Sequence, residues 1–416
     1  MLPRIVRSIV VAAAISGIAL QAMPASACPF CSAVQLTFSE EVAANDIAVI
    51  ATLVERPEEP AGSDSSAPFA APAGAEVAKC KFTIAHILKG EDKLGAAETF
   101  EALYFGQEPV GGQFLVFAVI IEDKPPAWKT PISLSERGVK YIQEMMALPE
   151  SGADRLAFFQ HYLEDADPLL AVNSYDEFAR APFAEVTSLA PRMNHDKLVG
   201  WVKNTEISSS RRRLYLTMLG VCGQPEDAAM LEEMIRSPLR EHKVALDAMI
   251  AAYLNLRGPE GLPLIVDLFI KDVDAEYTDT YSAVMALRFH GQERDVIPKE
   301  DLKAAMRQML DRPQLADLVI PDLARWEDWT VVDRLVELFK NADDTSAWVR
   351  VPVINYLRVC PLPEAKDKIE ELRLIDPDAV KRASSSLLLL GGGKGNTGGT
   401  VKRPDGAAPE KAAEPK

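Results

Sequence analysis

Near residue 133 the apolar residues change their spacing, from every second position to every third or fourth. Period two fits a pleated strand with one face inward, and period 3.6 fits a helix with one stripe inward. The change therefore splits the chain into a β-rich first part and an all-helical second part, an α+β multidomain protein. At 416 residues it is also too long for one ordinary core, and roughly 100–200 residues per domain gives two or three units.

The β-rich part reads as short strands set between glycine turns. Ile47, Val49, Ile50, Leu53 and Val54 form a first strand that ends before Pro57. Residues 57–75 turn to Pro, Ala, Ser and Gly, a solvated loop with little to bury. From Val77 to Leu88, Cys80, Phe82 and Ile84 alternate with Lys79, Lys81 and Thr83, so one face is apolar and the other wet. Gly90 closes that strand. A third runs from Thr99 to Phe105. After Gly111-Gly112, Phe114–Ile121 is apolar enough to be buried on both sides. Strands at this spacing point to a small barrel over 28–130.

The helical part opens at Ser133 and Glu136, which have the spacing of a capping box. A connecting helical region covers 131–204. Over 205–389 the helices recur. One starts after Ser208-Ser209-Ser210 and carries Leu214, Thr217, Met218, Val221 and Cys222 on one face, ending at Gly223. The next carries Leu246, Met249, Ile250, Tyr253 and Leu254 and breaks at Gly258-Pro259, ahead of Leu262, Ile265, Val266 and Phe269. Further first helices are expected near Glu276, Gln314 and Ala347. A repeat of roughly 30–38 residues suits stacked helical hairpins, in which neighbours bury the face that one hairpin cannot. Residues 390–416 are Gly, Lys, Pro, Ala and Glu, a tail expected to stay disordered.

Residues 1–27 carry the marks of an export leader. Arg4 and Arg7 precede an apolar run from Ile9 to Leu20, and Ala25-Ser26-Ala27 is the small-residue pattern of a signal-peptidase site. That run is too short to span a bilayer comfortably, and no later segment is a membrane-helix candidate. The mature chain is expected to begin at Cys28 and to work in the periplasm or outside the cell. Lipid anchoring at Cys28 competes, although Ala25 stands where lipoprotein signals usually carry Leu. The formal net charge of −16 repels phosphate backbones, so nucleic acid is not an expected partner.

The stretch from Cys28 to about Asp123 resembles the tissue-inhibitor-of-metalloproteinases and netrin-like OB barrel. The likeness lies in a cysteine at the mature N-terminus, the strand Ile47-Ala-Val-Ile-Ala-Thr-Leu-Val, a second strand running into Ile87-Leu-Lys-Gly90, and the apolar strand Phe114–Ile121. That family begins Cys-x-Cys, whereas this chain has Cys28-Pro29-Phe30-Cys31. The resemblance implies that the α-amino group and carbonyl of Cys28 could chelate a protease zinc. Residues 205–389 are similar to HEAT-type or armadillo-like repeats in period and helix pairing. The whole arrangement resembles exported bacterial proteins of unknown function, a likeness that implies no activity.

Cys28, Cys31 and Cys80 are the candidates for disulfide or metal chemistry. A Cys-x-x-Cys pair can exchange disulfides when one thiol is activated. Such pairs usually open a helix after a strand, and here no strand precedes it. Structural zinc would need two more ligands; there is no second such pair and the five histidines are scattered, so no metal and no cofactor are expected. As a structural bridge, a Cys28–Cys31 ring is worth roughly 2 kcal/mol, and closure to Cys80 roughly 4 kcal/mol. The expected bridge therefore joins Cys80 to Cys31 or Cys28. Cys222 and Cys360 fall on apolar helix faces. Asp272, Asp274 and Glu276 echo a calcium loop, but Tyr277 and Ala283 stand at its glycine and twelfth positions.

Two clusters are candidates for an interaction surface. Arg211-Arg212-Arg213 can grip a phosphate or form ion pairs between repeats. Trp326, Trp329 and Trp348, near Arg350, are either core or a hot spot on a concave face. No catalytic triad order, phosphate loop or dinucleotide fingerprint occurs. The expected function is protein binding or scaffolding without catalysis, with inhibitor-like binding through Cys28 and thiol exchange at Cys28 and Cys31 as alternatives.

Overall fold

The computed structural model describes residues 30–57, 79–122 and 124–390. The expected leader, Cys28, most of the 57–75 loop and the tail beyond 390 lie outside the described residues.

The first helix, α1 (Phe38–Ala44), is followed by β1 (Ile47–Glu55), β2 (Cys80–Lys89), the short α2 (Glu91–Leu94), β3 (Thr99–Ala102), β4 (Gln113–Val119), β5 (Ala127–Trp128) and β6 (Ile132–Leu134). All pairings are antiparallel, in the order β3-β2-β1-β4-β5, with β6 also on β4. One face carries the core: Val49, Leu53, Phe82, Phe114 and Val116 are buried on it together with Cys80. Phe82 stacks on Phe100 at 5.4 Å, and Phe100 on β3 stacks on Trp128 of β5. Rings from the two ends of the strand order thus meet, and the sheet is nearly closed. The expected alternation of β2 holds at Cys80, Lys81 and Phe82, which are buried, exposed and buried. At Gly90, φ is +81° and a Cβ would stand 2.4 Å from the Asp46 carbonyl oxygen, so only glycine fits the turn after β2.

The strand expected to reach Ile121 stops at Val119, because the Ile120 amide turns to donate to Asp46 Oδ2 at 2.9 Å. The capping residue of the first long helix is Ser135 rather than Ser133. Ser133 is paired with Phe114 in β6, and Ser135 Oγ accepts from the Gly138 amide at 3.0 Å.

From Glu136 onward the chain is helical. Helices α3 (Glu136–Met146), α4 (Ala153–Phe159), α5 (Pro168–Arg180), α6 (Phe183–Leu189), α7 (His195–Lys203), α8 (Ser209–Cys222), α9 (Pro225–Arg236) and α10 (Leu246–Arg257) lie in a first compact unit with the sheet. That unit ends at Gly261 and a second begins at Leu262. The second holds α11 (Leu262–Ile265), a π-helical turn over Val266–Ile270, α12 (Tyr277–Glu293), α13 (Lys299–Gln308), α14 (Ile320–Arg325), α15 (Val332–Asn341), α16 (Arg350–Val359), α17 (Glu364–Arg373) and α18 (Pro377–Leu390). No helix among the described residues is long and apolar enough to cross a membrane.

Within each unit, contacts recur at nearly the same sequence separation. Arg213 pairs with Asp247 and Arg288 with Asp322, each 34 residues apart, and Trp348 Nε1 donates to the Gln314 carbonyl at that same separation of 34. Asn255 Nδ2 donates to the Gly220 carbonyl 35 residues away. There α8 and α10 touch backbone to backbone, since a Cβ on Gly220 would lie 2.9 Å from Ala252 Cα.

Candidate functional site

The segment after Cys31 is an extended strap fastened to α5. Consecutive residues of that helix, Asn173 to Glu177, are buried, four of them polar or charged. Asp176 accepts from the amides of Val34 at 2.7 Å and Gln35 at 3.3 Å. Asn173 Oδ1 accepts from the Phe38 amide at 2.7 Å, and its Nδ2 donates to Tyr141 Oη at 2.7 Å. Arg155 bonds Glu177 at 2.7 Å and Ser39 Oγ at 2.6 Å, closing the network beneath α1. Thr37 and Glu40 cap α1 reciprocally, with Thr37 Oγ1 accepting from the Glu40 amide at 3.2 Å and the Thr37 amide donating to Glu40 Oε2 at 2.9 Å.

Cys31, at the head of this strap, is disulfide-bonded. The expected bridge to Cys80 does not form. Cys80 points into the barrel core, is 1% exposed, and is a free thiol with Sγ 3.7 Å from the Tyr104 carbonyl. Burial pushes that thiol up from its ordinary value. Cys222 and Cys360 are also free thiols, and burial pushes Cys222 up to about 11. Among the described residues no group of His, Cys, Asp and Glu is placed to hold a metal.

The three consecutive arginines are sent to three different environments by the 100° turn between helical neighbours. Arg211 pairs with Glu164 at 2.7 Å, and Arg213 Nε donates to both carboxylate oxygens of Asp247 at 3.1 and 3.0 Å. Arg212, between them in the first turns of α8, is fully buried and pairs with no carboxylate among the described residues. Its Nη1 donates to the Glu241 carbonyl at 3.2 Å, while Nε and Nη2 have no partner among the described residues. Desolvation lowers its pKa from the ordinary guanidinium value. It lines a cavity of about 500 Å³ between the end of α7, the end of α9 and the loop that follows. Lys203, Arg236 and His242 bring basic groups to this cavity, Met230, Met234 and Pro238 form apolar wall, and Glu233 is its one carboxylate.

The tryptophans are spread over different surroundings. Trp326 is buried, with the Lys299 ammonium 5.0 Å from its ring. Trp329 packs edge-on to Tyr356 at 5.2 Å. Arg350 bonds Asp376 at 2.9 Å and the Ala342 carbonyl at 2.9 Å, holding α16 to its neighbours. Trp348 is the exposed member, at 41%. A different aromatic pair went unnoticed in the sequence. Tyr277 and Tyr281, one helical turn apart on α12, are 44% and 42% exposed, and their rings stack at 6.1 Å; Val273, 72% exposed, lies in the turn before that helix. Their spacing was the available signal. Likewise, Thr37-x-x-Glu40 was a legible capping pair at the strap.

Comparison with family models, with curated proteins and with solved structures finds no match to this chain.

Proposed function

We propose that this chain is an exported, non-catalytic binding protein, an OB-like barrel joined to a HEAT-like helical array that presents surface to a polypeptide partner. The observation that carries the reading is the stacked Tyr277–Tyr281 pair on α12. Stacked, exposed tyrosines on a helix present large apolar area with few rotamers to freeze, the chemistry of interface hot spots. The recurrence of contacts at 34 and 35 residues supports the repeat reading, since stacked hairpins bring equivalent positions of neighbours together. The leader-like first 27 residues support export. Inhibitor-like binding and thiol exchange both turn on Cys28, which lies outside the described residues.

The test is affinity capture from an envelope extract with the wild type and with a Tyr277→Ser, Tyr281→Ser double variant. A protein retained by the wild type and lost with the variant is the expected result. Identical captures, or none above a resin control, would sink the reading.

A further inference from the structure

We propose that the cavity around Arg212 is a binding site for the anionic group of a small organic acid, with the Arg212 guanidinium as its anchor. This goes beyond polypeptide binding and does not depend on it.

A guanidinium carries five N–H donors and cannot shed its charge at neutral pH. Buried polar groups in folded proteins nearly always find partners, and a buried unpaired cation is among the most costly exceptions. Among the described residues Arg212 and Arg312 are the buried arginines. Arg312 Nη1 serves three acceptors, the Phe269 and Ile270 carbonyls at 3.0 and 3.3 Å and Thr280 Oγ1 at 3.2 Å. Arg212 has only the Glu241 carbonyl at 3.2 Å.

The two unpartnered nitrogens, Nε and Nη2, share one edge of the guanidinium. That edge is the fork that receives two oxygens of a carboxylate or phosphate in parallel. The residues flanking Arg212 show what the helix does with a neighbouring carboxylate when it has one: Arg211 and Arg213 are each paired. Arg212 lines a cavity instead, with both unpartnered nitrogens closed off from solvent until a wall side chain moves aside.

The cavity's lining suits an anion with an organic body. Lys203 is exposed and makes no ion pair with a described residue. Arg236 is shared with Glu232 at 2.9 Å, and His242 Nδ1 lies 2.8 Å from Ser237 Oγ. Glu233 is exposed at the same cavity and opposes these charges in part. Met230, Met234 and Pro238 offer apolar contact that a bare inorganic ion would not use. A volume near 500 Å³ falls within the range of small-molecule sites.

The experiment is thermal melting of the full-length protein in hexanoate, acetate and inorganic phosphate, each against chloride at matched ionic strength. A ligand that binds only the folded state raises Tm saturably. Hexanoate is expected to raise Tm at lower concentration than acetate, and Arg212→Met, checked for folding by circular dichroism, is expected to abolish the response. Phosphate reports whether a tetrahedral oxyanion reaches the same fork; a phosphate response lost with Arg212→Met supports the site equally. No saturable response to any of the three anions, or a response that survives Arg212→Met, overturns the proposal. Equal responses to acetate and hexanoate overturn the role given to the apolar wall, since only the longer chain can reach Met230, Met234 and Pro238. Where Arg212→Met does not fold, Lys203→Ala decides: an apparent affinity weakened by about threefold is expected from losing one rim charge, and an unchanged affinity overturns the proposal.

Discussion

Phe100 and Trp128 stack with ring centroids 3.7 Å apart and planes 15° from parallel, although β3 and β5 stand at opposite ends of the strand order. The contact draws the sheet toward closure without hydrogen bonds between those two strands. Phe100→Ala removes this ring and its stack on Phe82, and should cost about 3–4 kcal/mol. Urea unfolding followed by circular dichroism measures it. A loss below about 1 kcal/mol would show that the two edges do not rely on each other.

Asp176→Ala should free the strap. Removing the carboxylate leaves the Val34 and Gln35 amides without their acceptor, at a cost of about 1–3 kcal/mol. Amide hydrogen exchange at Val34 and Gln35 should accelerate while amides in β1 keep their protection. Unchanged exchange at both would refute the fastening.

Asp322 is a fully buried carboxylate held by Arg288 at 2.7 Å and Arg325 at 2.5 Å. Breaking a buried pair from one side costs about 3–5 kcal/mol, because the other charge remains. Asp322→Ala should therefore destabilise the second unit more than the double change Arg288→Met, Asp322→Leu, which removes the buried carboxylate together with its less exposed partner and leaves only the half-exposed Arg325. Thermal unfolding of the two variants compares them. Equal losses would mean that the pair contributes through packing alone.

His195 Nε2 lies 2.7 Å from Asp227 Oδ2, and that bond raises the imidazole above its ordinary value near 6.5. The folded value exceeds the unfolded one, so the stabilisation is complete below about pH 6.5 and is lost as pH rises through the folded value. A ring-proton NMR titration should place the His195 midpoint above 6.5. A midpoint at or below that figure would remove the linkage, and His195→Gln should flatten the same limb of the stability profile.

Much of the fold was legible because it is written in local periods. The alternation at Cys80, Lys81 and Phe82 gave an inward face, and the serine run 208–210 and Gly223 marked the two ends of α8, although the helix already begins at Ser209 with Ser208 as its cap. The two-residue β5 and three-residue β6 were not, since runs that short hold no period. The site residues were harder. Every residue of α8 from Leu214 to Gly220 is buried, so the helix has no wet face against which to orient Arg212. The Arg-Arg-Arg run announced charge at that place; only the packing of α7, α9 and the 237–242 turn decided which arginine went inward. The cysteines misled for a related reason. Loop entropy favoured a bridge at Cys80, yet the register of β2 commits that side chain to the barrel interior.

The strap has a consequence for how the protein is made. Its amides are held by a helix whose anchoring residue comes 142 positions later in the chain. A polypeptide emerging with its N-terminus first can form the strands but cannot seat their leading segment until α5 has followed. Fragments that stop before Asp176 should therefore keep a loose front end, however complete their sheet.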